Sequence, residues 1–281
     1  MTALDDFGIR RLVVLSHPNH EAAIFGIVQR LRPKLVVLTD GGGDPRPAES
    51  RQALDRIGLL DRASFLDFRE SDFYRALLDH DLDYFRSVIG RLRIELEEFG
   101  PKQVICDAVE FYNPVHDLTL PIVRAALGAA PPAQIFEAPL IYQIAGQNAG
   151  NSESYELQRF PPSRRDGQIE FRLSMDEHAA KLAARDQVYG SLRKQIGTLL
   201  DRTSADHFAT EVIGPAANGL LEPNSDQSLR YDWRAKLLLA RGQIKRAITR
   251  AGHYVPLVAA MLAEADAEVA DRVQSSARAA K

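Results

Sequence analysis

The sequence predicts an α/β fold with a mainly parallel sheet, helices on both faces of the sheet and a helical C-terminal extension. Short apolar runs alternate with longer segments of helical periodicity through the first half of the chain. Such alternation is typical of parallel sheets that are covered by helices. Beyond residue 145 helical patterns dominate. We therefore expect a core over residues 1–145 and a loop and helical region, packed on this core, over residues 146–281.

The predicted strands of the first half are short, apolar and rich in β-branched residues. They are Arg11–Leu15, Lys34–Leu38, Ala63–Phe68, Gln103–Cys106 and a fifth within Gln134–Ile144. The helices between them carry apolar residues at helical spacing and end at Gly or Pro. They are His20–Leu31, one that opens at Arg46 and ends at Gly58, Asp83–Phe99, and Leu118–Leu127 with Pro121 in its first turn.

The second half begins with Ala145–Gly167, which is rich in Gly, Asn, Ser, Pro and Arg and reads as a long loop or a boundary. A long helix follows Ser174, which forms a predicted capping box with Glu177. Asp206–Asn224 has mixed character, and the rest is predicted mainly helical. Residues 263–281 would form a surface helix or a frayed tail.

Composition excludes several classes of protein. The 281 residues carry 35 Lys and Arg against 38 Asp and Glu, so the formal charge of −3 provides no basic field for nucleic acid. The one cysteine, Cys106, lies in an apolar strand and is expected to be a buried, inert thiol. No apolar run approaches the roughly 20 residues that span a bilayer, and the N-terminus lacks a signal-peptide core. We expect a cytoplasmic protein that could form a homo-oligomer.

Two histidines, His17 and His20, stand where the first strand passes into the first helix. Pro18 disfavours the α conformation of the preceding residue and keeps His17 outside the helix. His116 occupies a comparable place after the fourth strand. In open α/β sheets ligands bind at the carboxyl ends of the strands, and imidazole is the commonest metal ligand. The pattern predicts a metal site, although each histidine could also be a hydrogen-bonded structural residue.

A glycine cluster, residues 41–43, follows the second strand, with Asp40 before it. The cluster lacks the Gly-Lys-Ser/Thr ending of a phosphate loop and the glycine spacing of a dinucleotide site. Asp40 at the strand end is a candidate substrate-contacting acid. Capping of a turn or helix explains an aspartate at this place equally well.

These segments together resemble the PIG-L/LmbE-like N-acetylglucosamine deacetylases. His17-Pro18-Asn19-His20-Glu21 is similar to the His-Pro-Asp-Asp-Glu motif of that family. Three further segments match in order: Leu38-Thr39-Asp40-Gly41, Arg46-x-x-Glu49 and Asn113-Pro114-Val115-His116. The resemblance covers about residues 9–145, with a weaker echo over residues 174–189. It implies a Rossmann-like three-layer sandwich, a zinc site made by His, Asp and His, and hydrolysis of the N-acetyl group of a glucosamine-containing substrate.

The chain departs from the family pattern at the residues that carry the chemistry. Asn19 stands where the resemblance implies the general base, and His20 stands where it implies a zinc-ligating Asp. His17 and His116 keep their ligand positions, so the implied site becomes three histidines around one zinc ion. Three neutral imidazoles also hold the catalytic zinc of carbonic anhydrase. Without a carboxylate ligand the site is one unit more positive, which would make the zinc a stronger Lewis acid.

The missing base leaves two acids as candidates for the proton acceptor. Asp117 follows His116, and Asp107 ends the fourth strand at the same sheet edge. Either could accept a proton within about 3 Å of the reacting water. The alternatives are a helix N-cap for Asp117 and a strand-end acceptor for Asp107. Glu21 is implied by the resemblance to orient a metal ligand.

We expect a zinc-dependent amide hydrolase that deacetylates a small N-acylated sugar or sugar conjugate by metal-activated water. By resemblance, Arg46 would contact substrate hydroxyls or an anionic group. The alternative is a non-catalytic sugar- or nucleotide-sugar-binding protein of the same fold that has lost its base. A third possibility keeps catalysis and changes the acyl group or the bond cleaved.

Overall fold

The computed structural model describes residues 8–128, 133–146, 154–217 and 227–279. The first half alternates strands and helices as the pattern predicts. Its strands are β1 (Arg11–Leu15), β2 (Lys34–Thr39), β3 (Ala63–Phe68), β4 (Gln103–Asp107) and β5 (Gln134–Ala138). Its helices are α1 (Phe25–Leu31), α2 (Arg46–Arg56), α3 (Glu70–Asp79), α4 (Leu82–Phe99) and α5 (Pro114–Leu127).

The second half contains four short strands and four helices within the described residues. The strands are β6 (Ile141–Gln143), β7 (Tyr155–Leu157), β8 (Ile169–Arg172) and β9 (Thr210–Pro215). The helices are α6 (Met175–Gln187), α7 (Gly190–Arg202), α8 (Arg230–Ala240) and α9 (Val255–Ala279). No helix in the described part of the chain is both long and apolar enough to cross a membrane.

The main sheet has seven strands in the order β3-β2-β1-β4-β5-β9-β8. The first five are parallel, and β9 and β8 continue the sheet in antiparallel pairing. The chain winds outward from β1 through β2 to β3 and then returns to place β4 on the other side of β1. The carboxyl ends of β1 and β4 therefore flank the switch point of the sheet, where ligands bind in folds of this type.

Both faces of the sheet are buried, which explains why its strands read as continuous apolar runs. In β1, Leu12 and Val14 join one apolar cluster, and Val13 and Leu15 join another. The first cluster includes side chains from α3, α4, α5 and α9, and the second includes side chains from α1 and α2. Burying each such side chain stabilises the fold by about 1.5–3 kcal/mol. The predicted α/β sandwich with a mainly parallel sheet is confirmed.

The start of α5 was misplaced by the sequence pattern. The helix begins at Pro114 rather than Leu118, and Pro121 lies inside it. Asn113 is the N-cap, and its side chain accepts a hydrogen bond from the Val115 N–H at 2.8 Å. Proline is favoured at the first helical position because its missing N–H would have no partner there. The N-cap alternative for Asp117 is therefore wrong, because Asp117 lies within the first turn.

Several other elements differ from the sequence predictions. The segment from His20 to Ile24 is a 3₁₀-helix that leads into α1, and the long helix after Ser174 is broken between α6 and α7. The capping box at Ser174 is confirmed. Strands β8 and β9 and helix α3 were not predicted. Residues 147–153, within the predicted loop, and 218–224, within the mixed segment, lie outside the described residues. The division at residue 145 stays a prediction.

Candidate metal centre and its cavity

The segment after β1 runs from Ser16 to His20 at the carboxyl edge of the sheet. Asn19 has a left-handed backbone with φ of 77°, which asparagine adopts more readily than most residues. Its N–H donates to Ser50 Oγ at 2.6 Å. This turn separates His17 from the 3₁₀-helix that starts at His20, yet the two ring centroids lie 5.0 Å apart.

Three imidazoles meet at the switch point. The ring of His116, in the first turn of α5, lies 5.0 Å from that of His17 and 4.5 Å from that of His20. All three side chains are buried. One ring nitrogen from each lies within 4.8 Å of those of the other two. The three rings predicted to hold a metal are therefore brought together, and each can offer one nitrogen to a common cation.

Asp107 orients one of these rings. Its Oδ2 lies 2.9 Å from His20 Nδ1 and accepts hydrogen bonds from the Ser16 N–H and hydroxyl at 2.7 and 2.6 Å. Because a carboxylate accepts, His20 Nδ1 donates and Nε2 keeps its lone pair for a metal. Burial raises the pKa of Asp107 to about 6. Asp107 is wholly buried and does not line the cavity described below, so the geometry gives it a positioning task.

The electrostatics of the cluster fit a metal ion. Burial, followed by the neighbouring histidines, lowers the pKa of His20 and of His116 well below the usual range. Both rings are therefore neutral at pH 7. His17 Nε2 and His116 Nδ1 are buried without a hydrogen-bond partner, which is costly unless another group satisfies them. Neutral imidazoles are suitable ligands for zinc, copper, iron and nickel, and three of them form a known catalytic zinc set.

The Asn19 side chain is held by neighbouring polar groups. Its Nδ2 donates to Glu49 Oε2 and to Ser191 Oγ, both at 2.7 Å, and its Oδ1 accepts from Ser50 Oγ at 3.1 Å. The Ser191 hydroxyl in turn donates to the same Glu49 oxygen. The Asn19 amide thus ties the histidine loop to α2 and α7.

Glu21 and Asp117 have structural partners. Glu21 Oε1 accepts a hydrogen bond from the Tyr189 hydroxyl at 3.1 Å, and burial raises the Glu21 pKa. Asp117 Oδ1 accepts from the N–H groups of Glu110 and Phe111 at 2.9 and 3.1 Å, and burial raises the Asp117 pKa to about 7. Neither side chain lines the cavity. The geometry supports neither the predicted base at Asp117 nor ligand orientation by Glu21.

Asp40 caps backbone rather than facing a substrate. Its Oδ1 accepts from the N–H groups of Gly42 and Glu70, both at 2.9 Å. It therefore holds the glycine turn and the first residue of α3. Asp40 does not line the cavity, so the substrate-contacting prediction gives way to the capping alternative.

A cavity of about 400 Å³ opens over the three histidines. Its polar wall also contains Asn19, Arg46, Glu70 and Asn113; its apolar wall contains Leu140, Ile141, Leu157, Leu192, Ile196 and Leu200; Tyr112, Arg230 and Arg234 line a further side. Arg46 donates to the carbonyl oxygens of Gly41 and Pro18 at 3.1 and 2.8 Å. Arg46 thus lines the cavity, and its contact with substrate hydroxyls or an anionic group stays a prediction.

Glu70 is the acid that sequence reasoning missed. Its Oε1 lies 3.2 Å from His17 Nε2, without the alignment of a hydrogen bond, and accepts from the Tyr74 hydroxyl at 3.0 Å. Burial acts to raise the pKa of Glu70. The contacts with His17 and Tyr74 and the charge of Arg46 outweigh burial and lower this pKa to about 2. Glu70 follows β3 by two residues, so its place at a strand end was the available signal.

Comparison with solved structures supports the fold. The A40926 pseudoaglycone deacetylase Dbv21 matches with a TM-score of 0.52 and 15% identity over 76% of this chain and 99% of that one. A deacetylase triple mutant of the teicoplanin biosynthetic pathway matches with a TM-score of 0.52 and 17% identity, over 73% of this chain and 97% of that one. A deacetylase–bog complex of that pathway matches with a TM-score of 0.51 and 17% identity, over 75% of this chain and 100% of that one. At this identity the likeness shows a shared fold alone.

Sequence comparisons add no family assignment. No protein-family model matches the chain, and a search of curated proteins gives no match.

Proposed function

We propose that this protein is a zinc-dependent amide hydrolase that deacetylates an N-acetylated sugar or sugar conjugate. The observation that carries the proposal is the buried cluster of His17, His20 and His116 beneath a cavity at the sheet's switch point. The solved structures of similar fold are those of deacetylases. The motif resemblance, found independently from sequence, points to the same reaction.

The three histidines would hold the metal through one nitrogen each. A bound zinc ion supplies Lewis acidity, polarising an acyl carbonyl and lowering the pKa of water. Asp107 fixes the tautomer of His20 by accepting from Nδ1, and Ser16 holds that carboxylate in place. Such outer partners commonly determine metal affinity and activity by 10- to 100-fold.

Glu70 is the residue we assign as proton acceptor. It is the carboxylate that lines the cavity within the described chain. Asp107 is hydrogen-bonded to His20, and Asp117 to backbone N–H groups. Glu70 is ionised at neutral pH because its pKa is about 2. Arg46, whose charge contributes to this low pKa, lies on the same wall and would stabilise negative charge on the acyl oxygen.

The experiment compares metal content with hydrolysis. Protein purified without chelators should carry about one zinc per chain, and it should release acetate from an N-acetylated sugar. Removal of the metal should abolish acetate release, and adding zinc back should restore it. A protein that takes up no metal on zinc titration would refute the three-histidine site.

The non-catalytic alternative has one observation in its favour. Asn19, at the position of the family's implied base, cannot accept a proton, and its amide is fully engaged. The two functions differ in whether Glu70 acts as a proton acceptor, and hydrolysis by the zinc-loaded protein discriminates between them. A zinc-loaded protein that binds N-acetylated sugars but hydrolyses none of a panel of N-acylated sugars would be a binding protein.

A further inference from the structure

Two arginines on α8 line the cavity. Arg230 and Arg234 are four residues apart, so they lie on the same face of the helix. Within the described residues no carboxylate lies within ion-pair distance of either guanidinium. Arg234 is exposed, and Arg230 is half-buried. Neither residue belongs to the motifs that resemble the deacetylase family.

Arg230 is held in place by aromatic residues that connect it to the histidines. Its guanidinium carbon lies 4.1 Å from the centroid of the Tyr112 ring, and Nε donates to the Tyr155 hydroxyl at 3.4 Å. The Tyr112 ring is also stacked with the ring of His116, with the two centroids 6.2 Å apart and an interplanar angle of 25°. The guanidinium of Arg230 is therefore separated from His116, a candidate metal ligand, by one aromatic ring.

The charges around the cavity are unbalanced. Among the described residues that line it are three arginines and one carboxylate. The carboxylate, Glu70, lies beside the histidines, with its Oε1 3.2 Å from His17 Nε2. Arg230 and Arg234 therefore leave the described lining with an excess of positive charge. A divalent ion among the histidines would add to this excess.

The two arginines also line a second cavity of about 460 Å³, which shares Tyr112 and Asn113 with the first. Among the described residues no acidic side chain lines the second cavity, and its third arginine, Arg246, is paired with Asp79 at 2.6 Å. Of the described carboxylates that line the two cavities, an anion at their common wall would thus face Glu70 alone, from the first cavity.

We infer that Arg230 and Arg234 form a subsite for an oxyanion that is attached to the sugar, so that the substrate is an anionic N-acylated sugar such as a sugar phosphate. The inference rests on the proposed function for the identity of the sugar, and it adds the recognition of charge. Guanidinium groups suit phosphate and carboxylate because their planar donors match the geometry of these anions.

The test compares binding of three probes to the zinc-loaded full chain by calorimetry: N-acetylglucosamine, N-acetylglucosamine 1-phosphate and inorganic phosphate. The sugar phosphate should bind at least 10-fold more tightly than the neutral sugar and than inorganic phosphate. R234Q, which removes an exposed side chain, should reduce this preference several-fold, and R230Q/R234Q should bring it close to one. R241Q is the matched control, because Arg241 is exposed on the same helix segment and lines neither cavity.

Deacetylation assays separate this inference from the proposed function. If neither sugar is hydrolysed but the preference for the phosphate depends on Arg230 and Arg234, the subsite stands and the hydrolase proposal fails. If both sugars are hydrolysed with equal kcat/KM in the native protein and in R230Q/R234Q, the subsite is refuted and the hydrolase stands. Inorganic phosphate that binds as tightly as the sugar phosphate, or an equal effect of R241Q, would also overturn the subsite.

Discussion

The side chain of Asn19 offers the sharpest test of how the site is built. The family resemblance suggests that N19D would restore a general base and increase hydrolysis. The structure predicts otherwise, because Asn19 Nδ2 lies 2.7 Å from Glu49 Oε2. The substitution would place a second carboxyl group against the first.

The size of the repulsion between the two carboxyl groups follows from the distance between Asn19 Nδ2 and Glu49 Oε2. Two unit charges 2.7 Å apart repel by about 6 kcal/mol at an effective dielectric constant of about 20. Keeping a proton on a carboxyl group of ordinary pKa costs about 4 kcal/mol at pH 7 and about 1.5 kcal/mol at pH 5. Since protonation costs less than repulsion, the introduced carboxyl should hold its proton, and its pKa should rise. The expected loss of unfolding free energy is therefore about 4 kcal/mol at pH 7 and about 1.5 kcal/mol at pH 5.

Urea denaturation of the native protein and N19D at both pH values measures this loss. A carboxyl that keeps its proton is no base, so N19D should not hydrolyse an N-acetylated sugar faster than the native protein. N19D/E49Q is the matched variant, because it removes the opposing carboxylate. It should recover most of the stability at pH 7 and should hydrolyse faster than N19D if position 19 can act as a base.

Equal destabilisation of N19D at pH 5 and pH 7 would refute the reasoning, because the cost of keeping a proton on the introduced carboxyl must fall as the pH falls. A rate increase of N19D approaching the ~10² to 10⁴ typical of general-base assistance would also refute it. That result would show the carboxyl ionised beside Glu49 and would favour a base at position 19.

Four further predictions concern other parts of the site and its supports. H116A should lose zinc, measured by metal analysis, and keep its circular dichroism spectrum. E70Q should retain zinc and lose ~10² to 10⁴ in kcat/KM. E211Q should lower the unfolding free energy by about 3 kcal/mol, because it leaves the buried Lys181 ammonium, 2.8 Å from Glu211 Oε1, without its partner. The pKa of Asp107 is raised from its ordinary value of 3.8 to about 6 in the folded protein. The metal-free protein should therefore lose about 3 kcal/mol of unfolding free energy as pH rises from about 4 to above 6, and D107N should not.

Two of these variants, H116A and E211Q, have a matched control elsewhere in the chain. H178A removes a half-buried histidine that does not line the cavity, and it should leave zinc binding unchanged. E177Q breaks the part-exposed ion pair with Arg30 and should cost at most about 1 kcal/mol. Zinc affinity of H116A equal to that of the native protein, undiminished hydrolysis by E70Q, or a denaturation curve of D107N with the native pH dependence would each contradict the role assigned to that residue.

Sequence reasoning predicted the part of the site that lies next to strand ends. The histidines follow β1 and β4, and local patterns were sufficient to place those strands and to suggest a metal. Their convergence depends on a further fact, the adjacency of β1 and β4 at the switch point. The expectation that parallel strands expose their carboxyl ends together was enough for the histidines, because both loops are short.

Acids were predicted less well because a carboxylate's role depends on what it contacts. Asp117 was placed just before a helix that in fact begins at Pro114, so it turned inward to bind backbone N–H groups. Glu70 was missed because α3, whose buried face consists of Phe73, Ala76 and Leu77, was not recognised. Arg230 reaches the cavity from a distant part of the chain, and no local pattern could place it there.

A ligand set of three histidines, without the carboxylate that the family resemblance implies at position 20, would have consequences for the whole cavity. Imidazole ligands contribute no negative charge, so a divalent ion would keep its full charge of two. Glu70 would oppose this charge, while Arg230 and Arg234 would add to it. A neutral substrate would leave that field unbalanced, whereas a substrate with one oxyanion would complete it and would be oriented with its amide toward the histidines. The altered motif and the two arginines therefore favour the same property of the substrate, its negative charge.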